Sequence, residues 1–473
     1  MNRTALPRRA LSPNAPDALP RTVALVGDAG GTGQAEAILA ALAREACPEL
    51  EVLFVSRNLL FESDIAMRYP EIETVALPEL ADATSALNAG ILRVLRRPSV
   101  DAIWILDGTA TPRPGAFYAL AETMAARPDT GAVGSLLLEP DAQTIRAFGS
   151  IWDVRTGEPV ACDADEPARH ADGLWQTVDS VGTGSMLVRP SLFRDTGLFR
   201  PLSLPFAGCD WCLRVHDRGY AVLADGASRA VAAPVAPLTF HDRYAARLDA
   251  WRLQLAHGLF GRRHFARTLA GAFVRAAHDR LSARESQARA ILCAGRDFML
   301  DRRGAPPLSP SSPFFRRAAL VELFCAERPA DILLTVPHDG TLDGTDLRDL
   351  AAHGVRFTAV AVEDEEKGPL PDGMAHWALP ARRLARRVVL AWRILFGSKA
   401  RYLVTDAARS GGFLALCARM VAMADGDGYR LESGGWRRIL RTFGMAGHAA
   451  RWAAAFLHFA WHFERLRNPV DTE

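Results

Sequence analysis

Between an apolar run and a helical pattern lies GDAGGTG, Gly27 to Gly33. Backbone amides of such a turn, with the N-terminus of the following helix, can cradle a phosphate. The segment lacks the Gly-Lys-Ser/Thr ending of a phosphate loop and breaks the dinucleotide spacing, so an ordinary strand-to-helix turn is an equal reading. As a nucleotide contact it would act through its backbone and Asp28. Cys209 and Cys212 have C-x-x-C spacing, but no second pair of ligands accompanies them, and the seven cysteines are scattered. Reduced structural thiols in a cytoplasmic compartment are therefore expected. Further acids stand in PHDGTLDGTD (His338, Asp339) and TDAARSGG (Asp406), each after an apolar run. That is where α/β proteins bind ligands, and also where Asp and Gly make common turns.

The elements that would carry these residues alternate. TVALVG, EVLFVS, DAIWILDG and TGAVGSLLL read as buried strands separated by segments with i, i+3, i+4 apolar spacing. The pattern predicts an α/β fold with a mostly parallel sheet flanked by helices, binding ligands at the carboxyl ends of its strands. From Gly149 to Pro205 the segments shorten and gain Gly, Asp and Pro, which predicts long connections and an antiparallel edge. WCLRVHDRG reads as a helix ended at Gly219, and YAVLAD as a strand. Residues 1–21 are expected to be a disordered segment, 22–242 the main α/β domain, 243–302 a helical extension and 303–316 a linker. Residues 317–433, with the runs ADILLTV, VRFTAVAV and ARYLVTD, read as a smaller α/β domain, and 434–473 as basic, aromatic C-terminal helices.

Of 473 residues, 49% are hydrophobic and 23% charged, so packed cores are required and long disorder is excluded. A net charge of +2 is too balanced for a general nucleic-acid binder. The first residues lack the apolar core of a secretory signal, and no run is long enough to span a bilayer. In the tail, Trp452, Phe456, Phe459 and Phe463 share one helix face, with Arg437, Arg438, Arg441, Arg451, Arg465 and Arg467 nearby. Such a helix can lie on an anionic membrane, here the inner face, or pack against a domain or subunit.

Four segments, in this order, resemble family 2 glycosyltransferases, and most closely the galactofuranosyltransferase-like branch. They are WILDGTATPRPGAF, VDSVGTGSMLVRPSLFRDTGLF, CDWCLRVHDRGY and the histidine of PLTFHDRY. The resemblance covers about Thr22 to Arg302. It implies a glycosyltransferase A type fold that transfers a hexosyl group, with inversion, from a nucleotide-diphosphate sugar, UDP-linked, to a glycan or lipid-linked acceptor of the cell envelope. It implies Mn²⁺ or Mg²⁺ on the diphosphate, held by Asp107 and His241. Asp28, Arg57, Asp107 and Thr109 become donor contacts, and Thr183, Gly184 and Trp211 acceptor contacts. Asp210 becomes the base.

The chemistry asks for these groups. A departing diphosphate needs its charge neutralised, and carboxylates with an imidazole can hold a cation for that purpose. The acceptor hydroxyl needs a carboxylate on the opposite side. Plainer roles exist for each residue: a turn for Asp107, an N-cap or first-turn acid for Asp210, core packing for Trp211, a surface position for His241. The chain also departs from the family pattern. Asp107-Gly108-Thr109 holds one acid where the family has two or three, VSRN leaves Ser56 and Arg57 where it has Asp and Asn, and Gly208 occupies the base position. These departures favour an alternative, a catalytically silent glycosyltransferase-like module that binds a glycan, a nucleotide or a partner, while the retained Asp107, Asp210 and His241 favour the enzyme. A third reading places activity in the C-terminal α/β unit.

Overall fold

The computed structural model describes residues 19–302 apart from 46, 79–81, 154–157, 235–238, 259–260 and 282–283, together with 9–10. Beyond these it describes 314–327, 332–335, 344–362, 375–379, 402–405, 418, 420–425, 428–433 and 446–467. The chain divides into two compact units, Met1–Val235 and Ala236–Glu473.

The first unit runs β1 (Arg9–Ala10), β2 (Thr22–Val26), α1 (Thr32–Glu45), β3 (Leu50–Ser56), α2 (Leu59–Arg68), β4 (Glu73–Ala76), α3 (Ala83–Leu95), β5 (Ala102–Leu106) and β6 (Ala110–Pro112). It continues through α4 (Ala116–Ala126), β7 (Thr130–Leu138), β8 (Ile145–Ala147), β9 (Ser150–Asp153), β10 (Glu158–Ala161), β11 (Leu174–Thr177), β12 (Met186–Val188), α5 (Pro190–Thr196), α6 (Leu204–Asp217) and β13 (Ala221–Ala232). The main sheet has the order β1-β11-β13-β7-β12-β5-β2-β3-β4, with β6 on β13 and β8 on β7.

The expected strands β2, β3 and β5 are parallel neighbours, with Leu25 opposite both Leu53 and Ile105. Their apolar residues alternate between two cores. Val23, Leu25, Leu53, Val55, Ile103 and Ile105 face one layer of helices, while Ala24, Val26, Phe54, Trp104 and Leu106 face the other. This period of two explains why the strands read as continuous apolar runs: both faces are covered. Helix α6 ends as expected, with Gly219 at φ +85° beyond its C-terminus.

The fourth expected strand, β7, departs from simple alternation. It does not adjoin β5; the three-residue β12 lies between them, antiparallel to both. The antiparallel character predicted for the middle of the chain therefore appears in the centre of the sheet as well as at its edge, where β11 runs antiparallel to β13. Three buried residues, Met186, Leu187 and Val188, are too few to show a period in sequence, yet they complete both cores. Arg9–Ala10, inside the segment expected to be disordered, pairs with β11.

In the second unit, α7 (Phe240–Ala256), α8 (Arg262–Leu281), α9 (Glu285–Met299) and the last helix, α12 (Ala446–Arg467), share one aromatic core. Phe459 lies 5.8 Å from Phe265 and 5.4 Å from Phe298, ring centre to ring centre. Of the two readings of the aromatic face of α12, the structure shows packing within the chain: its rings are covered by α8 and α9. Arg437, Arg438 and Arg441 lie outside the described residues. No described helix is long and apolar enough to cross a membrane.

The remaining elements are β14 (Phe314–Arg316), α10 (Arg317–Glu327), β15 (Ile332–Thr335), α11 (Gly344–Ala352), β16 (Phe357–Val362), β17 (Ala375–Leu379), β18 (Tyr402–Thr405), β19 (Met420–Asp425) and β20 (Gly428–Ser433). They form a second sheet, ordered β14-β20-β19-β18-β15-β16-β17. The three runs read from sequence are β15, β16 and β18, all parallel. The expected linker contributes β14, which pairs with β20. His338, Asp339 and Asp406 lie outside the described residues.

Candidate functional site

The strand order reverses between β5 and β2, and the polar residues gather at the carboxyl ends there. The glycine-rich turn is fastened to the end of β5. Gly27 N donates to Leu106 O at 2.8 Å and Ala29 N to Asp107 O at 3.0 Å. A Cβ on Gly30 would meet Gly108 O at 1.9 Å, and Gly108 has φ +100°, so both positions require glycine. Gly27 and Gly30 thus serve the close approach of two backbones, and three amides of the turn, those of Gly27, Ala29 and Gly31, are already engaged.

Asp28, in that turn, reaches across to the end of β3. Its Oδ2 accepts from Ser56 Oγ at 2.8 Å and from Arg57 N at 2.9 Å, and its Oδ1 from Arg57 Nε at 3.3 Å. Arg57 remains about one-third exposed. Ser56 and Arg57, which stand where the family pattern has acid and amide, are thereby tied to Asp28. Asn58 accepts from the amides of Leu60 and Phe61 and caps α2, which fixes the chain direction after Arg57.

Asp107 is buried at the end of β5. Its Oδ1 accepts from Thr109 N at 2.8 Å and Thr109 Oγ1 at 2.5 Å, while Thr183 Oγ1 donates to Oδ2 at 2.6 Å. Thr109 is exposed. Gly184 abuts it, since an added Cβ would lie 2.9 Å from Thr109 Oγ1. A Cβ on Gly208, in α6, would lie 2.9 Å from Thr183 Cγ2. Asp107, Thr109, Thr183, Gly184 and Gly208 therefore form one cluster, with Asp28, Ser56 and Arg57 beside it through the Ala29–Asp107 bond.

Asp210 is not in the first turn of α6, which begins at Leu204. Two residues on from Gly208 in an α-helix is about 200° around the axis, so its carboxylate points away from the Thr183 side. There Arg200 Nη1 donates to Oδ1 at 2.9 Å and Arg214 Nε to Oδ2 at 2.9 Å. Both oxygens of this buried carboxylate are thus engaged by guanidinium donors. Arg214 also donates to the carbonyls of Thr196, Gly197 and Leu198. Burial draws its guanidinium below the ordinary range, against the opposing effect of Asp210.

Trp211 is wholly buried rather than at an acceptor surface. Its ring lies 4.6 Å from Phe193 and its Nε1 donates to Gly197 O at 3.2 Å. Its fixed, hydrogen-bonded ring makes it a packing residue. His241 is exposed in the first turn of α7, in the second unit, where Thr239 and Asp242 form a capping box around it. Cys209 and Cys212 are free, buried thiols pushed up to about 12 by desolvation, unsuited to zinc or redox chemistry.

The donor set does not fit Mn²⁺ or Mg²⁺. Hydroxyls and an amide already occupy both oxygens of Asp107, and no group of three His, Cys, Asp or Glu converges among the described residues. Sequence reading missed the arginine partners of Asp210. The i, i+4 spacing to Arg214 was a visible signal, whereas Arg200 comes from outside the helix and gave none.

No family model matches the chain, and no curated protein matches it. Among solved structures, the chain is similar to GalNAc-T7 bound to UDP, GalNAc and Mn²⁺, with TM-score 0.38 and 9% identity, over 51% of this chain and 48% of that one. It spans about half the length of that protein. It is also similar to the mannosyltransferase PcManGT from Pyrobaculum calidifontis in complex with GDP-Man and Mn²⁺, with TM-score 0.35 and 16% identity, over 72% of this chain and 85% of that one.

Proposed function

We propose that this chain is a glycosyltransferase that binds a nucleotide-diphosphate sugar, UDP-linked, where β2, β3 and β5 end. The observation that carries the reading is the adjacency of the Asp28–Ser56–Arg57 and Asp107–Thr109–Thr183 groups at the point where strand order reverses. Hexosyl transfer to a glycan or lipid-linked acceptor would break the bond from the anomeric carbon to the diphosphate and form one to the acceptor oxygen from the opposite face. The acceptor proton must pass to a base. Asp210 serves as that base only if it leaves both arginines. In this reading Arg57 and the hydroxyl of Thr109, both accessible, meet the donor, and no step runs through a metal.

A second reading, a silent module that binds nucleotide or glycan without transfer, is favoured by the full engagement of Asp107 and Asp210. Calorimetry with UDP tests what the two share. Binding should weaken about tenfold in Arg57→Gln, the loss of one charge-assisted contact. No UDP binding by the intact chain would refute donor recognition. Release of UDP from a UDP-sugar in the presence of a glycan acceptor separates transferase from silent module.

A further inference from the structure

The second unit holds a cavity of about 270 Å³ between α8, α9 and the start of α12. It is lined by Arg280, Arg289, Arg296, Arg451 and His448, with Leu292, Cys293 and Trp452, and no lining residue is a carboxylate. We infer that this cavity is a binding site for a phosphate- or diphosphate-bearing anion, separate from the nucleotide-sugar site of the first unit. The guanidinium fork matches phosphate oxygens, which makes arginine the usual residue for such ligands.

The wall of the cavity is built rather than incidental. Trp452 Nε1 donates to Leu292 O at 3.1 Å, and Phe273 stacks edge-on 5.4 Å away, so the indole is fixed. Gly295 makes room for it, since a Cβ there would lie 2.4 Å from Trp452 Cζ2. Cys293 does not neutralise the arginines, because burial raises its thiol above the ordinary range despite Arg296 and Arg289 beside it. Arg296 is shared with Asp297, 3.0 Å away, and Asp297 also accepts from Tyr244 Oη. That acid holds Arg296 in place but is not a lining residue. The volume lies below the roughly 300–1,000 Å³ of sites for larger organic ligands, so it suits a phosphate group or diphosphate more than a whole nucleotide sugar.

Titration of inorganic pyrophosphate into the full chain by calorimetry tests the site. One saturable site is expected, weakened about tenfold in Arg451→Gln and about 100-fold in Arg289→Gln/Arg451→Gln. Arg451 is exposed, so its single substitution leaves the fold intact, and near-ultraviolet circular dichroism checks the double variant. Absence of saturable binding at millimolar pyrophosphate, or unchanged affinity in both variants, overturns the inference. Vesicles of phosphatidylcholine with phosphatidic acid then distinguish the source. Sedimentation with them, reversed by pyrophosphate, identifies a lipid phosphate headgroup; pyrophosphate binding without sedimentation identifies a free anion.

Discussion

Removing the carboxylate of Asp210 should loosen α6 by about 3 kcal/mol. Asp210 is 1% exposed and its two partners differ, Arg200 being 49% exposed and Arg214 13%. The exposed pair contributes little, on the order of 0–1 kcal/mol. Stripping a buried pair of one partner costs about 3–5 kcal/mol, because the other charge stays buried. Arg214 keeps its carbonyl acceptors at Thr196, Gly197 and Leu198, which argues for the low end of that range. In Asp210→Ala, hydrogen exchange of the α6 amides, read by mass spectrometry, should therefore accelerate by about 100-fold. This measurement reads one helix within a two-unit chain, where global unfolding would mix two transitions. Asp210→Ala/Arg214→Met should recover most of the protection, since no buried charge remains. Acceleration below about 5-fold in the single variant, or no recovery in the double, would refute a structural role for the pair. If Asp210→Asn abolishes transfer while α6 protection is unchanged, the carboxylate acts in chemistry instead.

Asp225→Asn should have the opposite sign. Asp225 is buried, accepts from Thr123 Oγ1 and Ala227 N at 2.8 Å each, and is raised above its ordinary value chiefly by desolvation. A raised acid stabilises the fold below its unfolded pKa and loses that contribution as pH climbs from about 3.8 through the folded value. The amide should therefore raise the melting temperature at neutral pH and flatten its pH dependence; a lower neutral melting temperature would contradict the sign. Gly30→Ala should part the turn from β5 and lower the melting temperature by several degrees, with weaker UDP binding, and an unshifted melting curve would show that Gly108 yields freely. UDP affinity should be the same with and without Mn²⁺; a gain with Mn²⁺ that vanishes in Asp107→Ala would show that the Asp107 hydrogen bonds give way to the ion.

Strands covered on both faces are legible because every residue is apolar, and Val23–Val26, Leu53–Val55 and Ile103–Leu106 took their places as neighbours. The insertion of β12 between β5 and β7 was not legible, since pairing is a long-range choice that three residues cannot encode locally. At the site, Asp107 and Thr183 were both singled out from sequence, and the structure joins them. Asp210 and Trp211 are adjacent in sequence, and the resemblance made the first the base and the second an acceptor contact. The helix turns them instead toward an arginine pair and an aromatic cluster, and burial of partners from α5 and the loop after it carries no sequence period.

The pattern that the sequence resembles has acids where this chain has Gly108 and Thr109, and that difference bears on the charge of the edge as well as on its ligand count. A cluster of carboxylates repels a diphosphate unless a cation lies between them. Asp107 instead spends its charge on two threonine hydroxyls and an amide, and Asp28 spends its own on Arg57 and Ser56. Each carboxylate then acts as a clamp that orients a neighbour: Thr109 on one side, Arg57 on the other. Because Arg57 is drawn by Asp28 yet stays partly exposed, it is, in the proposed donor reading, a charged group at this edge placed to meet phosphate oxygens. If the proposed donor site is right, recognition depends on the Asp28–Arg57 pair, and the carboxylates contribute by holding that geometry.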